Sequence, residues 1–329
     1  MAEAVAIGRG GLRVGQYGFG AAPLGGLFAH VDAGDAVAAL DQAWAQGIRY
    51  FDTAPHYGAG LSERRVGAYL AGKPRAEWVL STKVGRVLET VRPEDADNEG
   101  FVGESATRRV FDFSRDGIRR SLDASLERLG VDNVDIVYLH DPDDHWEQAI
   151  NQGWPALAQL RAEGIVTSVG AGMNSSEMLT RFVQETDMDV LLLAGRYTLL
   201  DQGALDRLLP VCLETATSIV VGGVFNSGVL AKPSADSWFD YGPVPPAVLE
   251  RAQRLDAVCA RYGVPLPAAA LQFPLAHSAV KTIVVGLRSA AEVAENAAWA
   301  RLPIPAALWD DLRQEGLLRA DAPTPVSVS

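Results

Sequence analysis

Short apolar runs recur along the chain, and each is followed by a longer stretch whose apolar positions repeat with helical spacing. The runs at Gln16–Phe19, Tyr50–Asp52, Val79–Thr82, Val134–Leu139, Ser168–Ala171, Val190–Ala194, Ile219–Gly222 and Thr282–Val285 mostly lack apolar/polar alternation. That is the pattern of parallel strands covered on both faces. Helices are predicted between them at Asp35–Gln46, Glu63–Leu70, Arg115–Leu129, Trp154–Glu163, Ser176–Glu185 and Ala204–Glu214. Pro246–Arg261 and Pro267–His277 follow the seventh strand. Ile118, Leu122, Leu126 and Leu129 form the clearest stripe, that of a helix packed on a sheet. Eight βα units predict a closed (β/α)8 barrel, and no Ser/Gly/Pro-rich linker divides residues 1–329, so one domain is expected. Before the first unit, Val5–Ile7 and Leu12–Val14 flank Gly8-Arg-Gly-Gly11 and read as a β-hairpin closing the barrel floor.

Two stretches fall outside this pattern. Gly85–Ser114 reads as the longest irregular segment; because it follows a strand's C-terminal end, it is expected to be a lid. Ala231–Pro246 carries Trp238, Phe239 and Tyr241, which suit stacking on a ring as well as packing on the barrel shoulder. The tail Ala322–Ser329 is expected to be flexible.

Composition narrows the class of partner. A formal net charge of -12 argues against a nucleic-acid or anionic-membrane surface. The start Met-Ala-Glu-Ala-Val-Ala-Ile-Gly lacks a signal-peptide pattern, and no apolar stretch is long enough to span a bilayer. Cys212 and Cys259, both in predicted helices, read as buried thiols and suit a reducing cytoplasm.

Candidate chemistry gathers at strand ends. Gly47-Ile-Arg-Tyr-Phe-Asp52 closes an apolar run on a carboxylate, Tyr57 follows in the turn, and Ser62-Glu63 opens the next helix. Trp78-Val-Leu-Ser-Thr-Lys83 ends in lysine and Val134-Asp-Ile-Val-Tyr-Leu-His140 in histidine. Asp52, Tyr57, Lys83 and His140 therefore belong to three successive strand ends, the rim where α/β barrels bind ligands. Singly, each has an ordinary reading: a strand-end cap, a packing aromatic, a surface lysine, a loop cap. The five histidines lack zinc-ligand spacing, so no metal site is expected.

Asp-Thr-Ala-Pro-His-Tyr-Gly58, Ser-Thr-Lys83 and Leu-His-Asp-Pro142, in that order, resemble the aldo-keto reductase superfamily, from about Leu12 to Asn296. The resemblance implies that Asp52, Tyr57, Lys83 and His140 are its catalytic tetrad. Tyr57 would exchange the proton while hydride passes to or from a nicotinamide cofactor, its phenol made acidic by Lys83. Asp52 would hold Lys83, and His140 would orient the substrate oxygen. Ser121-Leu-Asp-Ala-Ser-Leu-Glu-Arg-Leu-Gly130, His140-Asp-Pro142 and Ala194-Gly-Arg-Tyr-Thr-Leu-Leu-Asp201 resemble the bacterial L-fucose, or D-threo-aldose, 1-dehydrogenase branch. Pyridoxal 4-dehydrogenases are close relatives of that branch. The implied reaction is oxidation of an aldose C1 hydroxyl to a lactone; pyridoxal oxidation and general aldehyde or ketone reduction stay open. A cofactor-binding regulatory subunit is the alternative of another class.

No Gly-x-Gly-x-x-Gly follows a strand, so a Rossmann pocket is not supported. The resemblance instead implies a cofactor laid across the barrel mouth, with partial agreement at its contacts. Asn174 matches the carboxamide contact but would equally cap the helix begun by Ser175-Ser176. The usual glutamine is replaced near Ala194. The ring-stacking tyrosine is lost at Gly222, leaving Tyr197 as the candidate for ring contact. Ser227, Gly228 and Leu230 lie in the loop whose amides would hold the pyrophosphate. Gly286, Arg288, Glu292 and Asn296 would contact the adenosine half. Glu292 would repel a 2′-phosphate, which favours NAD; Arg288 leaves NADP open. Ser289-x-x-Glu292 also reads as a capping box.

Overall fold

Eight parallel strands close into a barrel in sequential order in the computed structural model, which describes residues 4–97, 99–103 and 106–326. They are β1 (Tyr17–Gly20), β2 (Tyr50–Asp52), β3 (Val79–Val84), β4 (Ile136–His140), β5 (Ser168–Met173), β6 (Val190–Ala194), β7 (Ser218–Gly222) and β8 (Val280–Gly286). Alternation along each strand sorts side chains between two cores. Tyr50, Ile136, Tyr138, Val190, Leu192, Val220 and Val284 fill the barrel interior. Their neighbours Phe51, Val137, Leu191, Val221 and Ile283 face the surrounding helices. The expected hairpin is present: Val5–Ile7 pairs antiparallel with Leu12–Val14, and Ile7 and Val14 join the interior core as its floor. The Gly8 amide donates to Ser218 Oγ at 2.9 Å and fixes the plug.

The helices that position the site are α1 (Ala33–Ala45), α2 (Leu61–Leu70) and α3 (Arg115–Leu129). Ser114 caps α3 by accepting the Gly117 N–H, and Gly130 closes it in the left-handed region. Ile118, Leu122 and Leu129 are buried as the stripe predicted. α2 lies so close to α3 that a Cβ on Gly67 would stand 2.0 Å from the Leu129 carbonyl oxygen.

Four expectations need correction. Gly85–Ser114 is not irregular throughout: Arg86–Thr90 pairs antiparallel with Thr107–Phe111, and the strands flank the loop between them. Ala204–Glu214 is not one helix but a 3-10 turn at Gly203–Leu205 followed by a helix at Leu208–Glu214, separated where Arg207 takes φ −142°. The helix beginning at Leu266 ends at Gln272, because Pro274 lacks an amide, and Phe273–Ala276 continues as a 3-10 turn. The tail is anchored at its start: Ala322 is buried, and Arg313 donates to the Ala322 carbonyl and to Thr324 Oγ1. Residues 327–329 lie outside the described residues. Cys212 and Cys259 are buried free thiols. No described helix is long and apolar enough to cross a membrane.

Candidate active site

Asp52, Lys83 and His140 reach the barrel mouth because each lies at or next to the last residue of β2, β3 or β4. Tyr57 arrives from the turn after β2, where its amide donates to the Ala54 carbonyl at 3.1 Å and the Gly60 amide to Pro55 at 2.8 Å. Gly58 takes φ 61° in that turn, and a Cβ there would lie 2.2 Å from the Gly25 carbonyl oxygen. The turn carrying Tyr57 is thus packed directly on the chain after β1.

The four residues converge. Lys83 Nζ donates to Asp52 Oδ2 at 2.7 Å and to the Thr53 carbonyl at 3.0 Å. It sits 4.7 Å from the centre of the Tyr57 ring. The His140 ring meets the Tyr57 ring edge-on at 5.9 Å. Asp52 and Lys83 are almost fully buried, at 3% and 2% exposure, so loss of either partner would leave an uncompensated buried charge.

A second layer holds the pair. Ser81 donates to Asp52 Oδ1 at 2.6 Å, Tyr50 lies 3.0 Å from Ser81 Oγ, and Tyr138 lies 3.3 Å from Tyr50. A hydrogen-bonded chain thus runs from Lys83 into the barrel interior. On the outer side, the buried Glu63 carboxylate accepts Thr82 Oγ1 at 2.7 Å and Arg128 Nε at 2.6 Å, tying β3 beside Lys83 to α2 and α3.

Burial works against the Lys83 ammonium, but Asp52 and Tyr57 outweigh it and hold its pKa above the ordinary lysine value. Tyr57 departs from expectation. Burial raises its pKa, Lys83 opposes this only in part, and the net shift is upward, so the resting group is a neutral phenol. Burial, with Arg86 and Lys83 nearby, pushes His140 well below the usual histidine range. It is therefore a neutral imidazole, and its Nδ1 has no hydrogen-bond partner among the described residues.

Two hairpins frame the mouth. Within the first, Phe101 is buried 6.0 Å from the Tyr57 ring, and Leu27 bridges to Phe101. Its first residue, Arg86, donates to Asp141 Oδ2 at 2.5 Å and reaches Glu99 and the His56 ring. The second hairpin pairs Trp238–Phe239 with Gly242–Pro243. It turns through Asp240 and Tyr241, both at positive φ, a conformation that costs free energy and recurs at functional sites. Arg196 clamps Asp240 through two bonds of 2.9 Å, and the Tyr241 amide donates to Ser227 Oγ. Phe28 packs 5.1 Å from Trp238 and 6.1 Å from Tyr241.

The remaining candidate contacts divide. Asn174 follows β5 half-buried, and the helix cap is supplied by Ser175, which leaves the Asn174 side chain out of that role. Tyr197 is fully buried between Phe273 and His277, so it has no surface to offer a ring at the mouth; its assignment is corrected on that ground. The amides of Gly228 and Leu230 both donate to the Phe225 carbonyl, so they are not the free donors expected, and the Leu230 side chain is core. Ser227 stays at the loop surface at φ 58°. Gly286 is exposed at the end of β8. Glu292 accepts the Arg288 amide at 2.9 Å and pairs with Arg288 Nε at 3.1 Å, while Ser289 caps the Glu292 amide, so the capping reading holds. Asn296 donates to the Glu292 carbonyl, and its Oδ1 is buried without a partner among the described residues. Ser81, Tyr50, Arg86 and His56 were missed as site residues. His56 and Ser81 lie inside the Asp52–Gly58 and Ser81–Lys83 motifs and Tyr50 in the strand leading to Asp52, but none carries a local signal for its partner, and only the fold turns Ser81 and Tyr50 toward Asp52.

A family model described as the aldo/keto reductase family matches residues 16–315. The chain is 47% identical to a D-threo-aldose 1-dehydrogenase of Pseudomonas sp., covering 96% of this chain and 97% of that protein. It is 41% identical to a pyridoxal 4-dehydrogenase of Microbacterium luteolum, covering 96% and 98%. Among solved structures, it is similar to an aldo-keto reductase from Bacillus halodurans in its holo form, with a TM-score of 0.75, 25% identity and 97% coverage of both chains.

Proposed function

The chain belongs to the aldo/keto reductase family and is an NAD(P)-dependent oxidoreductase, and from that premise we propose that it oxidises the C1 hydroxyl of an aldose to a lactone, Tyr57 carrying the proton. The observation that carries this reading is the buried Ser81–Asp52–Lys83 chain that brings the Lys83 ammonium to 4.7 Å from the centre of the Tyr57 ring, with His140 alongside.

When bound, the nicotinamide supplies the carbon that accepts or gives up hydride. The residues present suit such a group. The strand ends at Ala194, Gly222 and Gly286 carry little or no side chain, so no large residue projects from the last position of β6, β7 or β8. Asn174 after β5 and Ser227 after β7, with Gly286 at the end of β8 and Arg288, Glu292 and Asn296 beyond it, are the residues we assign to hold it. The Arg288 guanidinium is engaged by Glu292, which supports NAD over NADP as the cofactor.

The protein's own groups manage everything else. Neutral His140 donates a hydrogen bond to the substrate oxygen and sets its direction. Lys83, kept charged by Asp52, stabilises negative charge as it develops on the Tyr57 oxygen. In oxidation, the Tyr57 phenolate takes the hydroxyl proton; in reduction, the neutral phenol gives it to the carbonyl oxygen. The named activity of the 47% identical relative supports an aldose as substrate. Pyridoxal is the second reading, supported by the 41% identical relative and by the aromatic edge of Phe28, Trp238 and Tyr241.

Incubation of the protein with NAD and, in turn, L-fucose, L-galactose, D-arabinose and pyridoxal tests this reading through the absorbance of the reduced nicotinamide. A rise with at least one sugar is expected. No rise with any sugar removes the aldose assignment.

A further inference from the structure

The mouth holds a charged cluster that the proton chemistry leaves unused. Arg86, first residue of the hairpin after β3, donates to Asp141 Oδ2 at 2.5 Å. Asp141 directly follows His140, and the same Oδ2 lies 3.6 Å from His140 Nε2. The hydrogen bond to the Asp141 side chain goes to Oδ2, none to Oδ1 is formed among the described residues, and the side chain stays 28% exposed. Its backbone takes φ 46°, a conformation non-glycine residues rarely adopt, and its amide donates to the Gly172 carbonyl. A carboxylate set this deep in a ligand pocket is costly unless it is paired and given hydrogen bonds. Arg86 supplies the pairing, and Oδ1 still lacks a donor. Across the mouth, the Tyr241 hydroxyl lies within the field of Asp141, Tyr57 and Lys83, on a turn held by Arg196 and Ser227.

These positions carry a stereochemical consequence. Neighbouring oxygens on a sugar ring are separated by about the length of a hydrogen bond. If the reacting oxygen accepts from His140, the hydroxyl on the adjacent carbon faces the carboxylate that borders His140. We propose that Asp141, held in place by Arg86, accepts the hydrogen bond of the hydroxyl next to the reacting carbon, and so makes the site selective for polyhydroxylated substrates over simple aldehydes and alcohols. The opposite wall, formed by Phe28, Trp238 and Tyr241, covers the apolar face that a sugar ring presents. This inference rests on the aldose reading and names the group that discriminates within it.

The competing role for the Arg86–Asp141 pair is to pin the hairpin to β4, and the tests separate the two. In the unaltered protein, kcat/KM is compared for L-fucose, or the best aldose found, and its 2-deoxy analogue. A drop of about tenfold to a hundredfold for the deoxy sugar is expected, the range for loss of a hydrogen bond to a charged acceptor. Equal values overturn the proposal without any mutation. Asp141→Asn is then measured on the aldose, on the 2-deoxy sugar and in the reduction of an unsubstituted alkyl aldehyde. The aldose should lose about tenfold or more, largely through KM, while the deoxy sugar and the alkyl aldehyde change by no more than about threefold. An equal loss on all three identifies a structural pin and overturns the proposal. Absence of turnover on every aldose by the unaltered protein would instead strike the underlying aldose reading, a different outcome from turnover that is indifferent to the 2-hydroxyl.

Discussion

Replacing Asp52 with asparagine tests the electrostatics of the site more sharply than removal of any other group. The substitution keeps size and shape, and the asparagine carbonyl can still accept from Ser81. Its amide group would then face Lys83 Nζ, so two donors meet where the native pair stands at 2.7 Å. Lys83 is 2% exposed and loses its only carboxylate within bonding distance among the described residues. Breaking a buried pair from one side costs about 3–5 kcal/mol. With unfolding entropy near 2.1 cal/mol/K per residue over 329 residues, that is a fall in Tm of about 4–7 °C. The pH dependence carries more information than the size. In the native protein the Lys83 pKa is raised, so its contribution to stability is fully present below the ordinary lysine pKa and fades only as pH rises past it. In the variant, burial acts unopposed by Asp52 and drives the lysine pKa below its unfolded value. Between those two values the unfolded chain binds more protons than the folded one, so the variant gains stability as pH rises. Thermal or urea unfolding between about pH 6 and pH 10 should therefore show the gap between variant and native protein closing toward high pH, where a buried lysine becomes neutral. A gap that stays constant across that range would refute the assignment of the cost to an unpaired ammonium.

The other expectations concern rate and packing. Tyr57→Phe, which removes only the hydroxyl, should lower turnover by at least about a hundredfold, since general acid–base help is worth roughly 10²–10⁴; a near-normal kcat would displace Tyr57 from its role. Because burial raises the Tyr57 pKa, the phenolate fraction grows as pH rises, so oxidation should quicken steadily up to about pH 10 while reduction stays flat over the same range. A plateau of the oxidation rate by neutral pH would mean that Lys83 outweighs burial in the working complex. Gly67→Ala places a methyl 2.0 Å from the Leu129 carbonyl oxygen, between helices whose backbones cannot easily part, and should cost about 1–3 kcal/mol in urea unfolding despite the better helix propensity of alanine. An unchanged or raised midpoint would show that α2 and α3 can separate.

Residues with chemistry tied to a local pattern were legible from the chain. Asp52, Lys83 and His140 end apolar runs, and a strand end in a parallel barrel points at the mouth, so their meeting followed from eight repeats of one unit. Their electrostatic balance was not legible: Tyr57 was expected to be acidified by Lys83, whereas the depth of the phenol, a property of everything packed around it, tips its pKa upward. Tyr197 failed for a related reason. Its position after β6 is near the mouth in sequence, but its ring turns outward into the layer with Phe273 and His277, and direction is set by packing partners far along the chain.

The sequence by itself thus determined the barrel, its floor and the convergence of the tetrad, because period, strand ends and turn residues act locally and repeat. Only the tertiary structure decided the pairing of Arg86–Thr90 with Thr107–Phe111, the Arg86–Asp141 contact and the chain from Lys83 through Ser81 to Tyr138. Each of these joins groups well separated in sequence, whose interaction energy exists once loop closure has placed them side by side, and no local spacing encodes that distance.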